Sequence, residues 1–207
     1  MDKVVLFSHV DKYIMGVRVL KDVSLTVYSR DRVLVYGPKN AGKTILARLA
    51  SCILNRDGGY IEIFGLDPII YRREILSRLG YIPQYPHTPP NLSIYDSICF
   101  RCRLLDVNVE DVIKRIVEYG YGKYLHARAE EVDRGVLKNI LAVSILSMKP
   151  DLIVIDDIDG LNKGIIEGLV SEVIDDGATI LATSRRRYGE IDFNRVYYIE
   201  GGVLREG

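Results

Sequence analysis

The sequence predicts an α/β protein built around a mostly parallel β-sheet, and three observations carry that expectation. Strand-length apolar runs alternate with helix-patterned segments along most of the 207 residues, the arrangement that stacks helices on a parallel sheet. Three of those runs, "DRVLVYG", "DLIVIDD" and "ATILATS", are apolar almost throughout, as strands covered on both faces must be. A glycine-rich turn, "GPKNAGKT", joins the first of the three to a helical pattern.

The elements follow in chain order. "KVVLFS" and "SLTVYS" read as short strands, the second with Leu25 and Val27 alternating. After the buried strand "DRVLVYG", the stretch "KTILARLASCIL" spaces Ile45, Leu46, Leu49 and Ile53 as a helix does. "GGYIEIFG" is a strand entered through a Gly-Gly turn, and "LGYIPQ" a strand stopped by Pro83. From about Asn91 to Arg134 the pattern turns helical, in "IYDSICFRCRLL" and "VEDVIKRIVEYG". Buried strands then return, with "KGIIEGLVSEVIDDG" as a helix between two of them. "YYIEGGVLRE" closes the chain as a hairpin about Gly201 and Gly202.

Composition narrows the class. Hydrophobic residues make up 48% and charged residues 27%, and 28 basic residues balance 28 acidic ones. That neutrality gives no footprint for nucleic acid, and none is expected as a partner. No apolar run approaches the roughly 18 to 20 residues that span a bilayer, and "MDKVVLFSHVDKY" lacks the features of a signal peptide. The expected location is the cytoplasm. Cys99 and Cys102 form one CxxC inside a helical pattern, without a second pair or a nearby His, so packing is the expected role.

The turn carries the chemistry. "GPKNAGKT" fits G-x-x-x-x-G-K-[ST], with Gly37, Gly42, Lys43 and Thr44 at the defining places, a strand before and a helix after. Gly37, Pro38, Lys39, Asn40, Ala41, Gly42, Lys43 and Thr44 are therefore the expected phosphate cradle. Successive backbone N–H groups make an anion-sized concavity, and the helix N-terminus adds about half a positive charge. Lys43 is expected to reach the β- and γ-phosphates, and the Thr44 hydroxyl to ligate Mg2+. Asn40 suits the loop because Asn tolerates left-handed backbone angles. About 110 residues after the loop motif, "LIVID" ends a buried strand in Asp156, which puts a carboxylate at the sheet edge where ligands bind.

In order and spacing these pieces resemble the ATP-binding domain of ABC (ATP-binding cassette) proteins, transporters in particular, over almost the whole chain. The resemblance implies a P-loop NTPase fold: one domain over 1–207, an antiparallel β subdomain at the N-terminus, and a helical subdomain inserted at about 88–135. It places Tyr13, in "DKYIMGVRVLKDVSLTV", where the family stacks an aromatic ring on adenine, a contact worth about 1 to 3 kcal/mol in comparable settings. A plain surface tyrosine is the alternative. It makes Gln84, after "LGYIP", the residue that touches Mg2+ and the attacking water, and "PPNLSIYDSI" the entry into the helical subdomain.

The resemblance weakens around the γ-phosphate. Family members hydrolyse ATP between two domains, each offering L-S-G-G-Q to its partner's nucleotide. "VDRGV", Val132 to Val136, stands at that place and keeps only Gly135. Asp133 replaces the serine; its carboxylate repels phosphate, and a helix cap is its favoured role. The catalytic glutamate is Asp157, one methylene shorter and followed by Ile158 rather than proline. The family's histidine is Arg185, opening the run "RRR". Arginine stays protonated, so the choice is between a γ-phosphate contact of the arginine-finger kind and a solvated face. "IDGLN" ends in Asn162 where the family has Asp, and Ile45 replaces a hydroxyl residue.

The expected function is a weakly or conditionally hydrolysing ATP-binding subunit of an ABC-type transporter. ATP and Mg2+ are its expected cofactors, with Asp157, Gln84 and Arg185 as the catalytic candidates and Thr44, Gln84 and Asp156 as the metal candidates. Its expected partners are a transmembrane transporter subunit and a second ABC-type ATPase domain, in a homo- or heterodimer at the inner face of the membrane. A non-hydrolysing ABC-like regulator that reports ATP state to a partner is the alternative.

Overall fold

The computed structural model describes residues 2–86, 89, 91–189 and 191–207. Two sheets form it. β1 (Lys3–Ile14), β2 (Val17–Tyr28) and β4 (Gly58–Ile63) make a three-stranded antiparallel sheet in the order β2-β1-β4. The larger sheet has six strands in the order β5-β6-β7-β3-β8-β9. Its members are β3 (Arg32–Tyr36), β5 (Leu79–Ile82), β6 (Leu152–Ile155), β7 (Thr179–Ser184), β8 (Arg195–Glu200) and β9 (Val203–Glu206). All its pairs are parallel except β8 with β9. The expected α/β class, the parallel sheet and the antiparallel N-terminal strands are all present.

Period-two alternation explains why the central strands are apolar throughout. Val33 and Val35 of β3 face one core and Leu34 the other; Leu152 and Val154 of β6 are likewise opposed to Ile153 and Ile155. One core lies under the antiparallel sheet, α1 (Lys43–Ala50) and α2 (Arg72–Leu76), with Phe7, Leu20, Leu46, Leu49 and Ile75. The other is covered by helices: α3 (Ile94–Leu105), α4 (Val109–Glu118), α5 (Arg134–Ser147) and the run from Lys163 to Asp175. The buried residues of α3 and α4 join the same core as those of α5. Thr88, where the helical insert is expected to begin, lies outside the described residues.

Four elements depart from the sequence reading. β1 and β2 each run 12 residues, because Met15 and Gly16, both at positive φ, turn them directly into one another. Polar residues and register shifts between Phe7 and Lys12 hide that length in the sequence. α1 stops at Ala50 rather than reaching Leu54: the Ser51 hydroxyl donates back to the Ala47 carbonyl at 2.8 Å and Cys52 turns left-handed at φ 56°. The helix after β6 consists of a turn, α6 (Lys163–Ile165), a π segment, Ile166–Val170, and α7 (Ser171–Asp175). The closing hairpin is as expected, with Gly201 and Gly202 at φ 53° and 84° between paired Glu200 and Val203.

Parallel register brings the chemistry to one edge. Tyr36 of β3 pairs with Ser184 of β7, Ile155 of β6 with Ala182, and Ile82 of β5 with Ile155. The residues that follow these strands, from Gly37, Gln84, Asp156 and Arg185 onward, therefore emerge side by side.

Candidate nucleotide-binding site

The loop after β3 runs from Gly37 to Gly42 and enters α1 at Lys43. Asn40 is left-handed at φ 63° and Gly42 lies at φ 109°, backbone conformations of the kind from which anion-binding concavities are built. A methyl group on Gly37 would run into the Ile199 carbonyl, backbone against backbone. Gly37→Ala is expected to lower the melting temperature by several degrees, since neither β3 nor β8 yields without disturbing the sheet. An unchanged melting curve would show that the loop is not seated against β8.

A cleft of about 560 Å³ opens at this edge, lined by Lys39 to Ile45, Gln84, Asp156, Asp157, Thr183 and Arg185. Ile14 and Val19, from the ends of β1 and β2, form its apolar wall. Tyr13 is not among the lining residues. It is 46% exposed, and its amide donates to the Asp57 carboxylate at 2.6 Å, while its neighbour Ile14 lines the cleft. Pro38 lies outside the lining too, but its carbonyl and that of Gly37 each accept from the Lys43 ammonium at 2.6 Å.

Asp156 is 2% exposed. Its Oδ1 accepts from the hydroxyls of Thr44, at 3.1 Å, and Thr183, at 2.9 Å. Its Oδ2 is buried with no hydrogen-bond partner. Burial holds this carboxyl above the usual carboxylate range, partly offset by the Thr183 and Thr44 hydroxyls. A buried, unsatisfied carboxylate oxygen beside the Thr44 hydroxyl fits a hard divalent cation. Among the described residues no cluster of three His, Cys, Asp or Glu forms a cage. That suits Mg2+, which takes one or two protein groups and completes its shell with phosphate oxygens and water.

Asp157 stands next to it in a left-handed conformation, φ 63° and ψ 68°, a strained choice for a residue other than glycine. The Gln84 side-chain amide donates to its Oδ2 at 3.2 Å, and the Arg185 Nε lies 3.8 Å from its Oδ1. Arg185 remains 65% exposed at its side chain, and its backbone amide donates to Asp159 at 2.9 Å. Burial pulls the Lys43 ammonium below its ordinary range, opposed by Asp157 and Asp156. The structure thus gathers Lys39 to Thr44, Gln84, Asp156, Asp157 and Arg185 into one cleft.

Three residues of the site escape the sequence reading. Thr183, at the end of "ATILAT", binds both Asp156 and the Asp157 amide. Asp159 accepts from the Ser184 hydroxyl at 2.8 Å and ties the two loops together. Lys138 is 3% exposed beneath the pair of aspartates; a lone lysine inside "VLKNILAVSIL" was the signal available for it. Asp133 has its favoured role, capping α5 by accepting from the amides of Gly135 and Val136 at 2.8 and 3.2 Å. A larger hollow of about 650 Å³ at the opposite end of the sheet is lined by Arg78 and Lys149. Arg78 and Lys149 are paired there, with Asp151 and Asp176, and its lining includes no residue of the glycine-rich loop.

Comparison with known proteins agrees with this geometry. A model of the ABC transporter family matches residues 20–159. The chain belongs to the ABC transporter family. Within that family, this cassette is 30% identical over 210 residues to a probable ABC transporter ATP-binding protein of Azorhizobium caulinodans, covering 93% of this chain and 73% of that protein. It is 28% identical over 142 residues to the molybdate/tungstate import ATP-binding protein WtpC of Pyrococcus abyssi, covering 67% of this chain. The chain spans only 41% of the length of that relative. In fold it resembles a solved ATP binding subunit of an ABC transporter, with a TM-score of 0.84 at 19% identity over 99% of this chain and 89% of that one.

Proposed function

We propose that this cassette binds Mg-ATP at the edge of its parallel sheet and serves as the ATP-binding subunit of a membrane transporter, hydrolysing ATP only slowly or conditionally. The observation that carries the reading is the Asp156 carboxylate, buried with one unsatisfied oxygen and hydrogen-bonded through the other to Thr44 of the phosphate loop. Thr44 and Asp156 would hold Mg2+, with Gln84 at the same cleft; the bound ion would neutralise phosphate charge.

The chain's own groups do the rest. The amides of Gly37 to Thr44 cradle the β-phosphate, and Lys43 exchanges its two carbonyl contacts for phosphate oxygens. Ile14 and Val19 offer an apolar face to the base. Asp157 accepts a proton from a water that Gln84 orients, and Arg185 lies close enough to that carboxylate to meet charge growing on the γ-phosphate. The shortened Asp157 and the capped Asp133 favour slow turnover, since an error of about 1 Å in a catalytic group can cost on the order of a hundredfold.

Support for a membrane partner comes from α3. It buries Ile94, Ile98 and Cys102 but leaves Phe100 and Leu104 exposed at 59% and 68%. No helix among the described residues is long and apolar enough to cross a membrane, so a spanning partner and a position on the inner face of the membrane fit together. The altered segment Val132–Val136 favours pairing with a better-equipped second cassette over a homodimer.

Arg185→Ala and Asp157→Asn test the assignment. Arg185→Ala is expected to weaken ATP binding several-fold more than ADP binding, and Asp157→Asn to lower turnover on the order of a hundredfold, as loss of a general base does. Equal effects on ATP and ADP would return Arg185 to a solvated run. Turnover untouched in Asp157→Asn would remove that residue from the chemistry.

A further inference from the structure

Lys138 is a buried ammonium without a carboxylate within ion-pair distance among the described residues. It sits one turn into α5, and its Nζ donates to the main-chain carbonyl of Asp156 at 2.9 Å and to that of Asp157 at 2.5 Å. Burying an ammonium is costly unless its donors are used, and these two carbonyls use two of its three.

Those carbonyls belong to the residues on which the site depends. The Asp157 amide donates to the Thr183 hydroxyl at 2.9 Å, and its carbonyl accepts from the Gly160 amide at 3.1 Å as well as from Lys138. The peptide is therefore gripped on both sides while held at a positive φ of 63°. A left-handed non-glycine residue persists only where its surroundings over-determine it. The grip decides where the side chain emerges, 3.2 Å from the Gln84 amide. Gly160 leaves room for it: a methyl group there would stand 3.0 Å from the Lys138 ammonium. A second tie runs beside the first, from the Asn162 amide to the Asn139 side chain at 2.9 Å.

We infer that Lys138 is a positioning residue: through the carbonyls of Asp156 and Asp157 it holds Asp157 left-handed and sets where both carboxylates stand. It also links that placement to the first turn of α5, where the exposed Arg134 and Gly135 belong to the altered segment Val132–Val136. A shorter acid in place of the family's glutamate depends more closely on where its backbone is held. The inference rests on the proposed Mg-ATP site but assigns a residue which that reading does not use.

The experiment compares Lys138→Met, Lys138→Gln and Gly160→Ala with the unaltered chain, recording Mg-ATP turnover, KM and melting temperature. Methionine fills the space and donates nothing; glutamine donates through its amide. Lys138→Met is expected to lower kcat about 10- to 100-fold with KM within about threefold, the signature of a misplaced group rather than lost binding. Lys138→Gln recovers most of the rate. Gly160→Ala displaces the ammonium from outside the core and shifts kcat in the same direction, which settles the matter if Lys138→Met fails to fold. Equal rates for Met and Gln, an unchanged kcat, or a loss in KM alone overturns the inference. If the unaltered chain turns over no faster than Lys43→Ala, the hydrolytic reading fails instead. The readout is then the gain in ATP affinity on adding Mg2+, which must shrink about fivefold or more in Lys138→Met, against a tenfold change for each 1.4 kcal/mol, and return in Lys138→Gln. A gain that does not change overturns the inference in that case.

Discussion

Asp156→Asn is expected to do two opposite things, abolishing the gain in ATP affinity that Mg2+ brings while making the metal-free cassette harder to melt. The first follows from losing the charged oxygen that is buried without a partner. A charge-assisted contact is worth about 1.5 to 3 kcal/mol, so the loss is roughly 10- to 150-fold in affinity. The second follows from the same atom. An unsatisfied buried acceptor costs about 1 to 3 kcal/mol, more when charged, and each kcal/mol is worth about 2 to 4 °C in a chain of this size. The asparagine oxygen still accepts from Thr44 and Thr183, and a neutral amide takes the place of the charged oxygen, so the cost of burying a charge goes while those two bonds stay. A rise of a few degrees in the melting temperature without Mg2+ is the expected result.

The pH dependence of that rise has a definite sign. Burial raises the folded pKa of Asp156 above its ordinary 3.8, so the ionised group opposes folding at every pH above the folded value. The penalty shrinks as pH falls through the folded pKa and vanishes below the unfolded one. The gap in melting temperature between Asp156→Asn and the unaltered chain is therefore widest above the folded pKa and closes as pH approaches 4 from above. Over the same window the Mg2+-dependent affinity of the unaltered chain weakens, because protons compete for the carboxylate. A variant that melts no higher at neutral pH, with Mg2+ still strengthening ATP binding, would remove Asp156 from the metal site.

Lys43→Ala is the second large effect. Among the described residues the ammonium donates to the carbonyls of Gly37 and Pro38, within the loop itself, so its removal disturbs little of the fold. Melting temperature should move by no more than about 1 °C, the level of a substitution outside the core. ATP affinity, in contrast, loses a charge-assisted bond to phosphate. The expected loss is on the order of 10- to 100-fold, and smaller for ADP, which has no γ-phosphate to reach. Titration calorimetry with both nucleotides in Mg2+ reads the difference. A loss below about threefold for ATP would mean that the loop does not cradle a triphosphate.

The phosphate loop, the three central strands and the closing hairpin were legible because each is written locally. Gly37 and Gly42 sit where backbone geometry admits little else, and the runs around Leu34, Ile153 and Leu181 are apolar on both faces because both faces are covered. The Asp133 cap was legible for the same reason, a short side chain serving amides two and three residues on. The length of β1 was not, because its polar residues and bulges erase the period of two.

What the residue order alone determined is the composition of the cleft: which loop, which ammonium and which carboxylates come together at the sheet edge, since motif spacing and strand ends settle that within the chain. Only the tertiary structure decided how those groups are held. Ile14 rather than Tyr13 faces the cleft, Thr183 and Lys138 arrive from distant segments, and Asp157 is turned left-handed between them. The physical reason is that such contacts join residues 19 to 26 positions apart, and no local pattern records a partner that reaches a backbone carbonyl from another element.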